Sequence, residues 1–224
     1  MGENSMRKFL AIAFVCIALG ASKSGGSAGF KPPDVASASD ITYPFNNAAS
    51  GMVSLSANLN AEGKVQSVQV LRDVAGLTDQ ATAAVNSWSF SPARLNGHPV
   101  PSIIDVHVVF NPGIPQTQSL SLPPSEPLVS PNPAGYLPPE IAAASYANYP
   151  PNSIGAGTVV LSLTIDGSGN IENVSVVRRV PSLTAPSIAA VKTWTINPAR
   201  YNGKGITSKM AVAFVYRLPM ITTD

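Results

Sequence analysis

The sequence predicts an α+β protein. It is read as two tandem β-β-α-β domains, each a three-stranded antiparallel sheet with one helix on one face, joined by a Pro-rich linker. Three observations carry this reading. The chain repeats itself, each repeat passes from a period of two residues to the helical period and back, and prolines gather between the repeats. Hydrophobic residues make up 45% of the 224 and charged residues 12%, enough apolar material for packed cores.

The chain begins with an export signal. Arg7 and Lys8 precede an apolar run from Phe9 to Leu19, and small residues follow. That is the order of a secretory signal, with cleavage expected after Gly20. The segments are thus a signal peptide over 1–20 and a short leader over 21–27. The run is shorter than the roughly 20 residues a bilayer-spanning helix needs. If retained, it would instead anchor the chain. The single Cys, Cys16, lies inside this segment, so the exported protein has none, which suits an oxidising compartment.

Tyr43-Pro44 recurs as Tyr149-Pro150, 106 residues on. Holding that offset without a gap aligns residues 28–110 with 134–216, about 33 of the 83 aligned positions being identical, and gives domain 1 (28–110) and domain 2 (134–218). LTDQATAAVNSW faces LTAPSIAAVKTW, and SPARLNG faces NPARYNG. Between the copies, residues 111–133 hold seven prolines and one charge, Glu126. Such a composition favours extended polyproline II, a semi-rigid spacer of up to about 70 Å. Residues 219–224 form a tail.

Within each copy, Val53, Leu55, Ala57 and Leu59 alternate with polar residues, the mark of a half-buried strand; Val159, Leu161, Leu163 and Ile165 repeat it. Turns follow at Ala61-Glu62-Gly63 and Gly167-Ser168-Gly169. The second strand carries Val68 and Val70, or Val174 and Val176. Val65 and Ile171 are out of phase with them, which predicts a bulge or a late strand start. Leu77, Ala81, Ala84, Val85 and Trp88 then form a helical stripe capped by Thr78; its twin runs from Thr184 to Trp194. Asn-Gly turns close the helical unit. The last strand sets Ile104, Val106, Val108 and Phe110 on one face; copy two uses Met210, Val212, Phe214 and Tyr216. A helical or turn segment is expected ahead of each unit, at 32–39 and 138–145.

Three strands have two edges, and one helix covers one face. Each unit therefore exposes unpaired backbone groups, and the addition of a peptide strand is the economical way to satisfy them. The outer face of the last strand carries Ile103, Asp105, His107 and Val109 in copy one, and Lys209, Ala211, Ala213 and Val215 in copy two.

In both copies the order is Tyr-Pro, Gly-x-Val-x-Leu, an Asp/Asn-x-x-Gly turn, Val-x-Val-x-Arg, a helix ending in Trp, and a Pro soon after. This order resembles the C-terminal domain of the TonB family. The resemblance implies a periplasmic domain that grips an extended peptide, the TonB box of outer-membrane transporters, by pairing it with the last strand beside the Tyr-Pro segment. Carried over, the partner-binding residues are Tyr43, Pro44, Ile103, Asp105, His107 and Val109, with Tyr149, Pro150, Lys209, Ala211, Ala213 and Val215. The partner is a transporter peptide or another envelope protein. Family transducers keep an N-terminal membrane helix and a single terminal domain; this chain has a removable-looking segment and two domains.

Other readings stay open. Arg94 and Arg200 serve either as structural hydrogen-bonding forks or as partner contacts. Tyr43 and Tyr149 serve either recognition or packing. Trp88 and Trp194 are read as core, and Arg72 and Arg178 as solvated. Copy one has net charge −2 and copy two +3, which favours docking of the copies on each other or distinct partners. Edge-to-edge pairing into a homodimer or array is the structural alternative, and a membrane-anchored energy transducer the other. The net charge of +2 speaks against nucleic acid, and one Cys with two His against a metal site. No cofactor is expected. His107 beside Asp105 lacks a visible nucleophile and has only alanines opposite it in copy two, so no enzyme is expected.

Overall fold

A computed structural model describes residues 30–45, 47–111, 119–122 and 136–218. The signal, the leader, the tail and most of the linker lie outside the described residues.

Copy one comprises β1 (Asp34–Ser37), β2 (Gly51–Leu59), β3 (Val65–Arg72), α1 (Thr78–Ser87), β4 (Ser89–Ser91) and β5 (Ser102–Asn111). Copy two repeats the series as β6 (Glu140–Ala143), β7 (Gly157–Ile165), β8 (Ile171–Arg178), α2 (Thr184–Val191), β9 (Thr195–Asn197) and β10 (Ser208–Tyr216). The two copies do not form two separate sheets. Their long strands make one six-stranded sheet in the order β8-β7-β10-β5-β2-β3. Within each copy the pairs are antiparallel, and at the centre β10 and β5 run parallel, with Ala211 opposite Val106 and Tyr216 opposite Asn111.

Parallel pairing of two like strands places the copies about a pseudo-two-fold axis along the strands, so their helices fall on opposite faces. The two cores show it. Val53, Leu55, Ala57, Val106, Val108 and Phe110 pack with Leu77, Ala81 and Val85 around α1, joined by Val160, Ala211, Ala213 and Val215 from copy two. On the other face Leu161, Leu163, Met210, Val212 and Phe214 pack with Leu183 and Val191 around α2, joined by Met52 and Val109 from copy one. Each copy thus supplies part of the other's core. Ser54 and Ser56, read from their alternation as a solvent face, are buried for this reason.

The segments expected as helix or turn at 32–39 and 138–145 are instead strands β1 and β6, laid antiparallel on β4 and β9. Their apolar residues, Val35 and Ile141, turn into the core, and the antiparallel pairing with β4 and β9 holds both segments extended. The bulges are present: Gln66 and Glu172 are the extra residues between Ser67/Val65 and Asn173/Ile171. Leu77 and Leu183, not the threonines, occupy the N-cap positions. Thr78 and Thr184 sit one residue inside, and their hydroxyls each accept the amide of, and donate to the carbonyl of, Val74 and Val180 respectively. The Asn96-Gly97 and Asn202-Gly203 turns have positive φ at both residues, as a type I′ turn requires.

The expected separation of the two copies is corrected as well. Ser119 bridges to Ser145, and Leu120 is buried against the copy-two core. The copies pack on each other; they are not held apart.

Candidate functional site

The last strands were the expected docking edges. Instead, β5 and β10 are each other's neighbours at the centre of the sheet, and every residue of β5 after Ser102 is buried, as is every residue of β10 except Lys209. Ile103, Asp105, His107, Val109, Ala211, Ala213 and Val215 are therefore unavailable to an added strand, and Lys209 is engaged across the seam. The physical reason is that an isolated apolar edge is costly, and a second copy in the same chain satisfies it. Among the described residues, the edges of this sheet left with a partner on one side only are β3 and β8.

The Tyr-Pro segments pack at the strand ends. Tyr43 is half-buried, stands edge-on to Phe110 with ring centroids 5.3 Å apart, and donates its hydroxyl to the Ala49 carbonyl. The Arg217 guanidinium lies 5.2 Å from its ring centre, a cation–π contact made by the far end of the other copy. Burial raises the Tyr43 phenol above its usual range, and Arg217 works against that rise. Tyr149 is buried against Tyr216 and donates to the carbonyls of Gly155 at 2.7 Å and Ser153 at 3.2 Å. Pro44 and Pro150 are partly exposed beside them. Arg94 and Arg200 act as turn braces, donating to the Gly97 and Gly203 carbonyls at 2.9 and 3.0 Å.

The seam is polar on one side and closed by charge. Asp34 of β1 is ion-paired to Lys209 and accepts the Ser162 hydroxyl at 2.6 Å. Asp40 accepts the Thr158 amide at 2.8 Å and lies 3.4 Å from the Arg178 guanidinium. The Thr158 hydroxyl in turn accepts the Ile41 amide at 2.8 Å. The net charges of opposite sign on the two copies thus find their partners in each other.

The opposite face of the seam holds a cavity of about 330 Å³. Its floor is copy one: Ser54, Leu71, Arg72, Asp105 and His107. Its roof is copy two, Leu137 to Ile141, with Asn197, Pro198 and Arg200 beside it. Arg72 is buried rather than solvated and donates to the Ser54 hydroxyl at 3.1 Å. That hydroxyl is also 3.0 Å from His107 Nδ1. Burial lowers the His107 pKa to about 3, with Arg72 adding to the effect, so the ring is neutral. Burial raises Asp105 to about 7. Among the described residues, Asp105 Oδ1 and His107 Nε2 have no hydrogen-bond partner. A hydroxyl therefore does lie beside His107, contrary to the sequence reading. Asp105, however, does not bond the imidazole, whose Nδ1 faces Ser54, so the triad order of acid, base and nucleophile is not made. Sequence reasoning missed Ser54 and Arg72, because only the covering copy makes their face internal.

A family model for the C-terminal region of the Gram-negative bacterial TonB protein matches residues 42–112 and again 146–218. The chain belongs to this family. The two matches make it a tandem TonB C-terminal protein, and domains of the TonB family are periplasmic and engage outer-membrane transporters. No curated protein and no solved structure matches the chain significantly. Among the described residues of this TonB-family chain, no helix is long and apolar enough to cross a membrane.

Proposed function

We propose that the chain is an exported, periplasmic TonB-like binding protein. It engages an extended peptide of an outer-membrane transporter, or of another envelope partner, by strand addition at an outer edge of its sheet. The reading is of a binding protein, not an enzyme. The observation that carries it is that, among the described residues, β3 and β8 each have a sheet partner on one side only, while β5 and β10 are consumed by one another. Two bulges flank the run Ser67–Val70 on β3 and the run Asn173–Val176 on β8. Bulges interrupt a ladder and twist it away from a flat neighbour, so a docking peptide has a regular stretch of four residues on either edge. Amide-resolved titration with peptides from transporter N-termini tests this. The expected result is shifts confined to 67–70 or 173–176. Silence at both runs, or perturbation of β5 and β10 instead, overturns it.

Residues 1–20 are proposed to be removed on export, which frees the protein from the inner membrane. The intact mass of the exported chain decides, and retention makes it an anchored transducer.

A further inference from the structure

We infer that strand addition uses the edge of copy two alone, and that this edge selects an extended segment with a carboxylate at one end and a cation at the other. The inference rests on the strand-addition reading above and adds the chemistry of the partner. Three observations lead there. First, the two outer edges are not equally open. Leu71 and Arg72, the last two residues of β3, are only 7% and 6% exposed, backbone included. They line the boundary cavity together with residues 137–141 of copy two, and Glu140 offsets the Arg72 charge. β3 thus offers solvent little beyond Val70. On β8 the corresponding residues, Val177 and Arg178, stay partly exposed, and no residue of that strand is buried. A docking strand needs main-chain groups within reach along its length.

Second, free charges bracket the regular run of β8. Glu172 is the extra residue of the bulge before 173–176, and Arg179 lies just past the strand at the other end. Both are exposed. Among the described residues neither has an ion pair, since Asp40 takes Arg178 and Asp34 takes Lys209. At about 3.3 Å per residue the two charges stand roughly 20 Å apart along the edge. A strand of about seven residues covers that span. Cross-strand pairs of opposite charge are stabilising and like charges are not. The run between them carries no charge: Val174 and Val176 pack on the copy-two core, and Asn173 donates to the Ser175 hydroxyl at 2.9 Å. The ladder therefore supplies affinity, and the charged ends supply selection.

Third, the chain contains its own comparison. In copy one Gln66 and Asp73 stand where copy two has Glu172 and Arg179. Both are exposed, and β3 forms the same two bulges around its run. The fold is thus indifferent to these charges. The edge that is more open is the one that carries a charge of each sign.

The test is amide-resolved titration of the full chain with a blocked seven-residue peptide of alternating Val and Thr. It carries Asp at one end and Lys at the other, and is made in both orders. The blank has Asn and Gln at those ends. Saturable shifts are expected at 173–176 and not at 67–70. At about 20 mM salt the better charged order should bind about threefold to tenfold tighter than the blank, and the gap should close near 1 M. In Glu172→Gln combined with Arg179→Gln, charged and blank peptides should bind alike. Shifts at 67–70 of equal affinity overturn the assignment to copy two. Equal affinity of charged and blank peptides for the parent chain overturns the charge selection and leaves strand addition standing. A preference that survives in the double variant overturns the role given to Glu172 and Arg179. Silence with every peptide overturns strand addition itself, and this inference with it.

Discussion

Lys209 of the second copy reaches across the seam to Asp34 of the first, whose other carboxylate oxygen accepts the Ser162 hydroxyl at 2.6 Å. The pair is partly shielded, with side chains 21% and 30% exposed. Removing one member strands the other in a partly dry setting. Asp34→Ala is expected to destabilise the chain by about 1–3 kcal/mol. Lys209→Ala should cost a similar amount, and the double variant less than the sum. Denaturant unfolding of the four proteins measures this, and strict additivity would show that the two residues do not interact.

The Asp105 and His107 pKa values, moved in opposite directions, give stability a particular dependence on pH. Below about pH 4 the Asp105 carboxyl is protonated in folded and unfolded chains alike. Between there and about 7 the unfolded chain releases this proton and the folded chain keeps it, so stability falls as pH rises. His107, held to about 3, works the other way: below about 6.5 only the unfolded ring takes up a proton, so stability falls as pH drops. Across about pH 4 to 6.5 the two slopes cancel. Asp105→Asn leaves the imidazole alone. Its stability should rise with pH through that window and exceed the parent's above pH 7 by on the order of a few kcal/mol. Thermal melts across the range test this, and a variant with a flat profile refutes it.

Separating the copies should produce association. With residues 111 onward removed, β5 loses β10 and exposes Val106, Val108 and Val109 along an unpaired edge. Each copy made alone is expected to sediment as a dimer or larger species, while the joined chain stays monomeric. A monomeric, folded single copy would show that the central pairing is dispensable.

The β2–β3 and β7–β8 turns are tied to β4 and β9 by the absence of a side chain. Gly63 and Gly169 have φ of +80° and +94°, and a Cβ at either would lie 2.2 Å from the carbonyl oxygen of Phe90 or Ile196. Gly169→Ala should lower stability by about 1–3 kcal/mol, whereas Gly203→Ala, with open space around it, should cost only the backbone strain. Equal melting temperatures for the two variants would contradict this.

Much of each copy was legible because local chemistry decided it. The Val-rich alternation, the out-of-phase Val65 and Ile171, the Asn-Gly turns and the tryptophans all act within one repeat. What was not legible depended on the other repeat. Ser54 and Ser56 read as solvent-facing because nothing in the pattern says that copy two covers them. The apolar outer face of β10, with Ala211, Ala213 and Val215, was the available clue: a strand apolar on both faces belongs at the centre of a sheet. Arg72 was misread for the same reason as Ser54. The helix caps were misplaced by one residue because Thr78 satisfies the turn from inside the helix.

The parallel central pairing has a consequence for how the molecule responds to dilution. Strands that meet between independent subunits part when the protein becomes scarce. Here both partners lie on one chain, so their pairing is intramolecular and does not depend on the protein's concentration. The closed arrangement is therefore as complete in a sparsely populated envelope as in a crowded one, and only a competitor bound to a different surface can work alongside it.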